Sequence, residues 1–232
     1  MKNRISNGVF GKIIRTLGYV LLLVSSVLIL SELVLANTSY SLIAFLEPYA
    51  NIVVNLVNQL GVSVVQYAFI GLVVGLLFLV WALRKGLILR LLISVLLIFV
   101  LAESVLHSNI LFTGVLLTVP AFLDTAVTSV GSFIDQVVSA SSYVAPGAVL
   151  ILVLFLWALF ANKKPKRLSV NLVRTATVFL LFAVILAVLP SIFTASLFTA
   201  SWYIIVTLVF YILTYALYIL GGVFGVIGFG RS

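Results

Sequence analysis

The chain has 232 residues, of which 64% are hydrophobic and 8% are charged, and its formal net charge is +8. Soluble domains keep about a quarter of their residues charged, so this composition excludes a globular surface solvated by charges and indicates a polytopic membrane protein. Cysteine is absent, and there is one histidine and one methionine. Disulfides and thiolate chemistry are therefore excluded, and few groups remain that could ligate haem or zinc. We expect no cofactor and no metal.

Six apolar runs are long enough to cross a hydrocarbon core about 30 Å thick. We predict transmembrane helices at roughly 17–36, 62–83, 88–107, 143–161, 172–193 and 199–224. Lys and Arg collect on the cytoplasmic side of short loops. A cytoplasmic N-terminus puts all 13 of them on that face, and the five acids then lie in the outer half of the spans or in the outer loops. The sequence therefore predicts an all-α integral protein of the plasma membrane, with six spans and both termini in the cytoplasm.

Two segments of the chain closely match each other. Residues 67–83 read YAFIGLVVGLLFLVWAL, and residues 143–159 read YVAPGAVLILVLFLWAL. Earlier in each copy, Glu32-Leu-Val-Leu corresponds to Glu103-Ser-Val-Leu, in the same order along the chain. The matched Trp, Tyr, Gly and acidic positions indicate a duplication rather than chance similarity between apolar helices.

The duplicated unit consists of a helix, an outer loop and a second helix. We predict one membrane domain, 1–232, built from tandem hairpin repeats at 12–84 and 88–162. A third hairpin, at 170–230, lacks the long outer loop. Each unit contains two spans, so the copies share one orientation and are parallel repeats.

The first two long outer loops carry polar stripes at helical spacing. The candidate mouth residues on these stripes are Glu47, Asn51, Asn55, Asp124, Thr128 and Asp135. Weakly charged amphipathic helices of this kind lie on the membrane interface with the apolar face down. The two loops either pack on the bundle as lids or line the outer mouth of a pathway, and a re-entrant segment is the third alternative.

Glu32 and Glu103 are the candidate ion or proton groups, because a carboxylate inside a membrane is costly and is commonly functional. They occupy matching positions in the repeat, and His107 lies one helical turn after Glu103 on the same face. The three side chains could exchange protons or meet a cation. The alternative is that both glutamates are boundary residues, close enough to the ends of their spans to reach interfacial water.

A basic cluster follows the fourth predicted span. It comprises Lys163, Lys164, Lys166, Arg167 and Arg174. Such a cluster determines topology and attracts anionic lipid, at about 1 kcal/mol per cation near the surface. An acidic protein partner or nucleic acid at the cytoplasmic face is the other interpretation.

The last span carries two further patterns. Tyr211, Tyr215 and Tyr218 follow one another at i, i+4 and i+7, and their hydroxyls need partners, so we predict that this stripe faces protein or a lumen rather than lipid. Four glycines follow, at 221, 222, 225 and 228. Small residues at such spacing allow close approach of membrane helices.

No spacing in the sequence indicates a catalytic triad or a paired-carboxylate site, so we expect that the protein is not an enzyme. Our first hypothesis is a non-catalytic subunit or scaffold of a larger membrane complex, of the secretion, DNA-transfer or respiratory type. Uniformly apolar helices suit a chain surrounded by other helices or lipid. In layout alone, the chain resembles six-span membrane components of conjugation-type and archaeal DNA-import systems.

The second hypothesis is an oligomeric channel or transporter in which Glu32 and Glu103 line an ion, proton or solute pathway. The duplicated hairpins and the two symmetric acids favour it. The middles of the spans, which are almost free of polar residues, count against it, because transporter spans are commonly broken at the binding site. The partners we expect are membrane lipids, together with other membrane subunits or further copies of this chain.

Overall fold

The computed structural model describes residues 9–59, 64–83, 86–106, 113–114, 147, 149–154, 167–192 and 201–229. Within these ranges the chain forms seven α-helices with defined bounds, residues 147 and 149–154 are also helical, and no strand occurs. The helices are α1 (Val9–Ala36), α2 (Ser41–Ala44), α3 (Glu47–Asn58), α4 (Val64–Leu83), α5 (Leu87–Leu106), α6 (Leu168–Ile192) and α7 (Ser201–Phe229). The all-α prediction is confirmed for the described residues.

Three helices are long and apolar enough to cross a membrane, over Val9–Ala36, Leu168–Ala187 and Tyr203–Gly228. α4 and α5 contain the shorter apolar stretches Tyr67–Ala82 and Leu87–Ala102. These findings support a helical membrane protein. Most of the predicted fourth span lies outside the described residues, so the six-span topology and the hairpin repeat remain predictions.

α1 begins at Val9, well before the predicted start at residue 17. The helix continues through the basic segment because no residue there interrupts the backbone hydrogen bonds of the helix. Within this segment the Thr16 hydroxyl donates to the Lys12 carbonyl at 3.0 Å. With 28 residues, α1 is about 42 Å long. It therefore extends beyond the thickness of a hydrocarbon core.

α1 is the central helix of the bundle. It packs against α3, α4 and α7, while α6 packs on the other side of α7 and α5 on the other side of α4. The long neighbours are antiparallel to α1: Gly18 lies beside Gly75 and Ser25 beside Gly71, and Leu23 lies beside Gly222. Among the described helices, the order across the bundle is α6, α7, α1, α4, α5.

Glycines bring the helix backbones close together on both sides of α1. A Cβ added at Gly75 would lie 3.0 Å from the Gly18 carbonyl oxygen, and one added at Gly222 would lie 2.6 Å from Leu23 Cβ. A Cβ at Gly225 would overlap the ring of Tyr19. The predicted role of these glycines in close helix packing is confirmed for Gly221, Gly222 and Gly225, whereas Gly228 has nothing within 4 Å.

α6 and α7 form an antiparallel pair whose side chains are in contact along its whole length. The ring of Phe210 lies 5.7 Å from each of the rings of Phe179 and Phe182. Nearer the start of α6, Thr177 and Tyr218 approach each other through their hydroxyls at 3.5 Å. Because the Thr177 hydroxyl donates to the Val173 carbonyl at 2.8 Å, Tyr218 is the donor in this contact.

Candidate functional site

The described charges are segregated between the two ends of the bundle. The start of α1, the end of α4 and the starts of α5 and α6 lie together, because Arg90 sits 5.6 Å from the Trp81 ring and Arg15 is close enough to Arg167 for their charges to interact. We call this the basic end, which carries Lys12, Arg15, Arg90, Arg167 and Arg174. Glu32 and Glu47 lie at the opposite end, which we call the acidic end.

Glu32 is half-buried in the last turns of α1. Ser25 lies beside Gly71, so in this antiparallel pair Glu32, two turns later, is level with Val64 at the start of α4. The side chain of Glu103 and all of His107 lie outside the described residues, so the predicted grouping of these three remains a prediction.

The predicted helix in the first outer loop is present as α3, which packs on α1 and α4. Glu47 is half-buried, whereas Asn51 and Asn55 are exposed. The apolar side chains divide between two faces: Ala50 is buried, while Tyr49, Ile52 and Leu56 are 59–68% exposed. α3 thus has a packed face, an exposed apolar face and a polar face. Asp124, Thr128 and Asp135 lie outside the described residues.

Two members of the predicted basic cluster are described. Arg167 is exposed immediately before α6, and Arg174 is partly buried two turns later. Lys163, Lys164 and Lys166 lie outside the described residues. The structure adds Arg15, whose guanidinium interacts electrostatically with Arg167, and the hydroxyl of Tyr19, which faces Ser169. Residues distant in sequence therefore extend the cluster across α1 and α6.

The tyrosine stripe of α7 is buried, as predicted. Tyr211 is 3% exposed, and Tyr215 and Tyr218 are fully buried. The rings of Tyr215 and Tyr218 meet edge to face at 6.4 Å. Towards the acidic end the same face continues through Thr207 and Tyr203, and the Tyr203 hydroxyl donates to the Leu186 carbonyl. Hydroxyl groups therefore follow one side of α7 along most of its length.

A cavity of about 270 Å³ lies where this stripe reaches the acidic end, between α1, α6 and α7. We call it the acidic-end cavity. Among the residues that the structure describes, the cavity is lined by Leu33, Asn37, Gly114, Ala187, Tyr203, Ile204, Thr207, Leu208 and Tyr211. Leu33, Leu208 and Tyr211 are buried and form the floor, whereas Ile204 is 49% exposed and marks the opening.

Gly114 closes one side of this cavity against α7. Its φ of +72° favours glycine, and a Cβ there would lie 2.8 Å from Tyr211 Cδ2. The backbone of this segment can therefore approach the Tyr211 ring face. A larger residue at this position would be strained and would clash with the Tyr211 ring.

Sequence reasoning did not identify the acidic-end cavity as a site. Thr207 lies four residues after Tyr203 and four before Tyr211, so extending the tyrosine stripe by one turn would have included it. Leu33 and Asn37 could not be found in this way, because their position opposite Thr207 depends on the pairing of α1 with α7. Within the described residues no three His, Asp or Glu side chains come together as metal ligands.

The chain was compared with known protein families, characterised proteins and solved structures, and none of these comparisons found a match. The candidate function therefore depends on the chain's own geometry.

Proposed function

We propose that this chain is a non-catalytic structural subunit of a larger membrane complex. The observation that carries the proposal is the close packing of α1, whose backbone approaches those of α4 and α7 on opposite sides. The bundle axis between them is filled by side chains such as Leu22, Leu72 and Leu76, all 0% exposed. A central helix held on both sides suits a static scaffold better than a moving transporter core.

The orientation of the chain belongs to the same proposal. The basic end faces the cytoplasm and the acidic end faces outward, in accordance with the positive-inside rule. α4 and α5 have 20 residues each, which is about 30 Å of helix. They join α1, α6 and α7 as spans, and the basic end contacts anionic lipid headgroups.

α5 offers the surface on which another membrane subunit packs. Among the described helices it lies at the edge of the bundle and packs mainly on α4. One continuous stripe of its side chains is 48–77% exposed, namely Leu87, Ile88, Leu91, Leu92, Val95 and Ile98. The occupant we propose is an apolar transmembrane helix of a different subunit.

Purification of the tagged protein from its own host in native nanodiscs, followed by native mass spectrometry, tests this proposal. Stoichiometric foreign subunits are the expected result. Val95→Trp, on the exposed stripe of α5, should abolish the association of these foreign subunits. Phe224→Trp, on the exposed side of α7, should leave their association unchanged. A closed homo-oligomer with no other subunit would contradict the proposal.

A channel or transporter is the second candidate, and one observation favours it. Glu32 is half-buried next to Leu33, which lines the acidic-end cavity, so a carboxylate and a cavity occur at the same level of the bundle. Glu32→Gln should then abolish ion or proton flux in liposomes without changing the melting temperature. A variant with unchanged flux would remove the reason for this candidate.

A further inference from the structure

We propose that Pro190 and Tyr203 form a hinge with a latch at the acidic end of the α6–α7 pair. The hinge is the stretch of α6 around Pro190, and the latch is the hydrogen bond from the Tyr203 hydroxyl to the Leu186 carbonyl. With the latch closed the end of α6 lies against α7, and with the latch open it tilts away and widens the acidic-end cavity. The proposal concerns motion within a single chain, so it holds or fails independently of the assembly role proposed above.

Pro190 removes one backbone hydrogen bond from α6. The helix runs through this residue and ends at Ile192. In a regular α-helix the carbonyl of Leu186 would accept from the N–H four residues later, but Pro190 has no backbone N–H. A helix bends most easily where such a bond is missing. In a membrane-spanning helix the freed carbonyl needs a donor from a neighbouring helix or from water, because lipid offers none.

Tyr203 supplies that donor from α7. Its hydroxyl donates to the Leu186 carbonyl, and the residue is only 8% exposed, so the bond is shielded from bulk water. The Thr207 side chain also hydrogen-bonds to this hydroxyl, which is compatible with the latch because a phenol hydroxyl accepts as well as donates. The donor that replaces the missing helix bond therefore comes from the neighbouring helix.

The latch lies in the wall of the acidic-end cavity. Tyr203 lines the cavity, and so does Ala187, which directly follows Leu186. Towards the basic end, α6 is held to α7 by the stacked rings of Phe182 and Phe210, whose centroids lie 5.7 Å apart. A tilt of α6 beyond Leu186 would leave that ring contact in place and move Ala187 away from Tyr203. The cavity would therefore widen while the rest of the pair stayed together.

The latch can open without unfolding the helix because the cavity gives access to a second donor. Its volume of about 270 Å³ is far more than one water needs, and Asn37 and Thr207 contribute polar groups to its lining. Water in the cavity can donate to the Leu186 carbonyl once the Tyr203 hydroxyl has left it. The two positions of α6 then differ by the exchange of a tyrosine donor for a water donor, and such bonds are nearly equal in enthalpy.

The rate of thiol modification at Ala187→Cys measures the opening, because this position lines the cavity and the chain has no native cysteine. A small water-soluble methanethiosulfonate is applied to the full chain in nanodiscs. In this background Tyr203→Phe keeps the ring and removes the donor, and it should raise the rate about fivefold to tenfold, as expected for the loss of one hydrogen bond. Tyr218→Phe is the matched control, because it removes a hydroxyl contact with Thr177 in the same helix pair, and it should leave the rate unchanged.

Pro190→Ala tests whether the hydroxyl acts through the freed carbonyl. It restores an N–H for the Leu186 carbonyl, so adding Tyr203→Phe to this variant should change the rate less than about twofold. The same oxygen atom is lost from the cavity wall in both backgrounds, so the space that it leaves cannot account for a difference between them. Thr207→Val removes the contact of that side chain with the Tyr203 hydroxyl but keeps the latch, and it should also change the rate less than about twofold.

Melting temperature, followed by circular dichroism, shows whether each variant is folded. An unchanged rate in Tyr203→Phe would overturn the proposal, as would an equal rise with and without Pro190→Ala or an equal rise in Thr207→Val. If Pro190→Ala does not fold, the comparison of Tyr203→Phe with Tyr218→Phe decides the outcome, and equal rates in these two variants would overturn the proposal.

Discussion

At the scale of single residues, Gly225 shows how closely α7 approaches α1. A methyl group in Gly225→Ala would overlap the ring of Tyr19, which is 1% exposed and cannot move aside. We expect a loss of about 1–3 kcal/mol in the free energy of unfolding, the usual result of overfilling a core. Denaturant titration in mixed micelles, followed by circular dichroism, measures this change.

Gly228→Ala is the control for this prediction, because Gly228 has nothing within 4 Å of a new Cβ. In the same helix, one turn later, it should be neutral or stabilising by up to roughly 1 kcal/mol, since alanine loses less backbone entropy. Equal effects of the two substitutions would contradict the packing of α1 against α7.

Ser26 gives a second prediction at this scale. Its side chain is fully buried in α1, and its hydroxyl has no hydrogen-bond partner among the described residues. Burying a hydroxyl costs the free energy of removing it from water, and without a hydrogen bond in the folded protein this cost is not offset. We therefore expect Ser26→Ala to stabilise the fold by about 1 kcal/mol in the same titration. A loss of stability would indicate a partner outside the described residues.

At the scale of the helix, α3 tests the predicted interfacial position of the first outer loop. Its exposed apolar side chains, Tyr49, Ile52 and Leu56, lie beside the exposed asparagines 51 and 55. Such a helix lies in the interface with its apolar side in the lipid. The chain has no cysteine, so single cysteines can be labelled with a fluorophore at chosen positions in liposomes.

A label at Ile52→Cys should emit at shorter wavelength and be quenched by brominated lipid. A label at Asn55→Cys, three residues later on the polar face, should be quenched by aqueous iodide instead. Similar quenching of both labels by iodide would mean that α3 stands away from the membrane, as a lid on the bundle would.

The helices themselves could be predicted from the sequence, whereas the way they pair could not. The apolar runs predicted helices because length and composition alone select them, and the burial of Tyr215 was predictable because its hydroxyl needs a partner. The pairing of α1 with α7 was not predictable, because many registers would bury equally apolar faces. The acidic-end cavity depends on that pairing, which brings Asn37 and Thr207 together, so the cavity was missed.

At the scale of the whole molecule, the separation of charges predicts how the chain crosses the membrane. The basic end holds Lys12, Arg15, Arg90 and Arg167, and the acidic end holds Glu32 and Glu47. Translocating Lys and Arg is costly, so the basic end should remain in the cytoplasm. Single cysteines at Gly86 and Ser39 test this orientation, because both positions are exposed and lie at opposite ends of the bundle.

A membrane-impermeant maleimide should label Ser39→Cys in intact cells, and should label Gly86→Cys only after the membrane is opened. Gly86 has nothing within 4 Å of a new Cβ, so its substitution should not disturb the packing at the start of α5. The reverse pattern of labelling would put the acidic end in the cytoplasm. The basic end would then have no anionic cytoplasmic leaflet to contact.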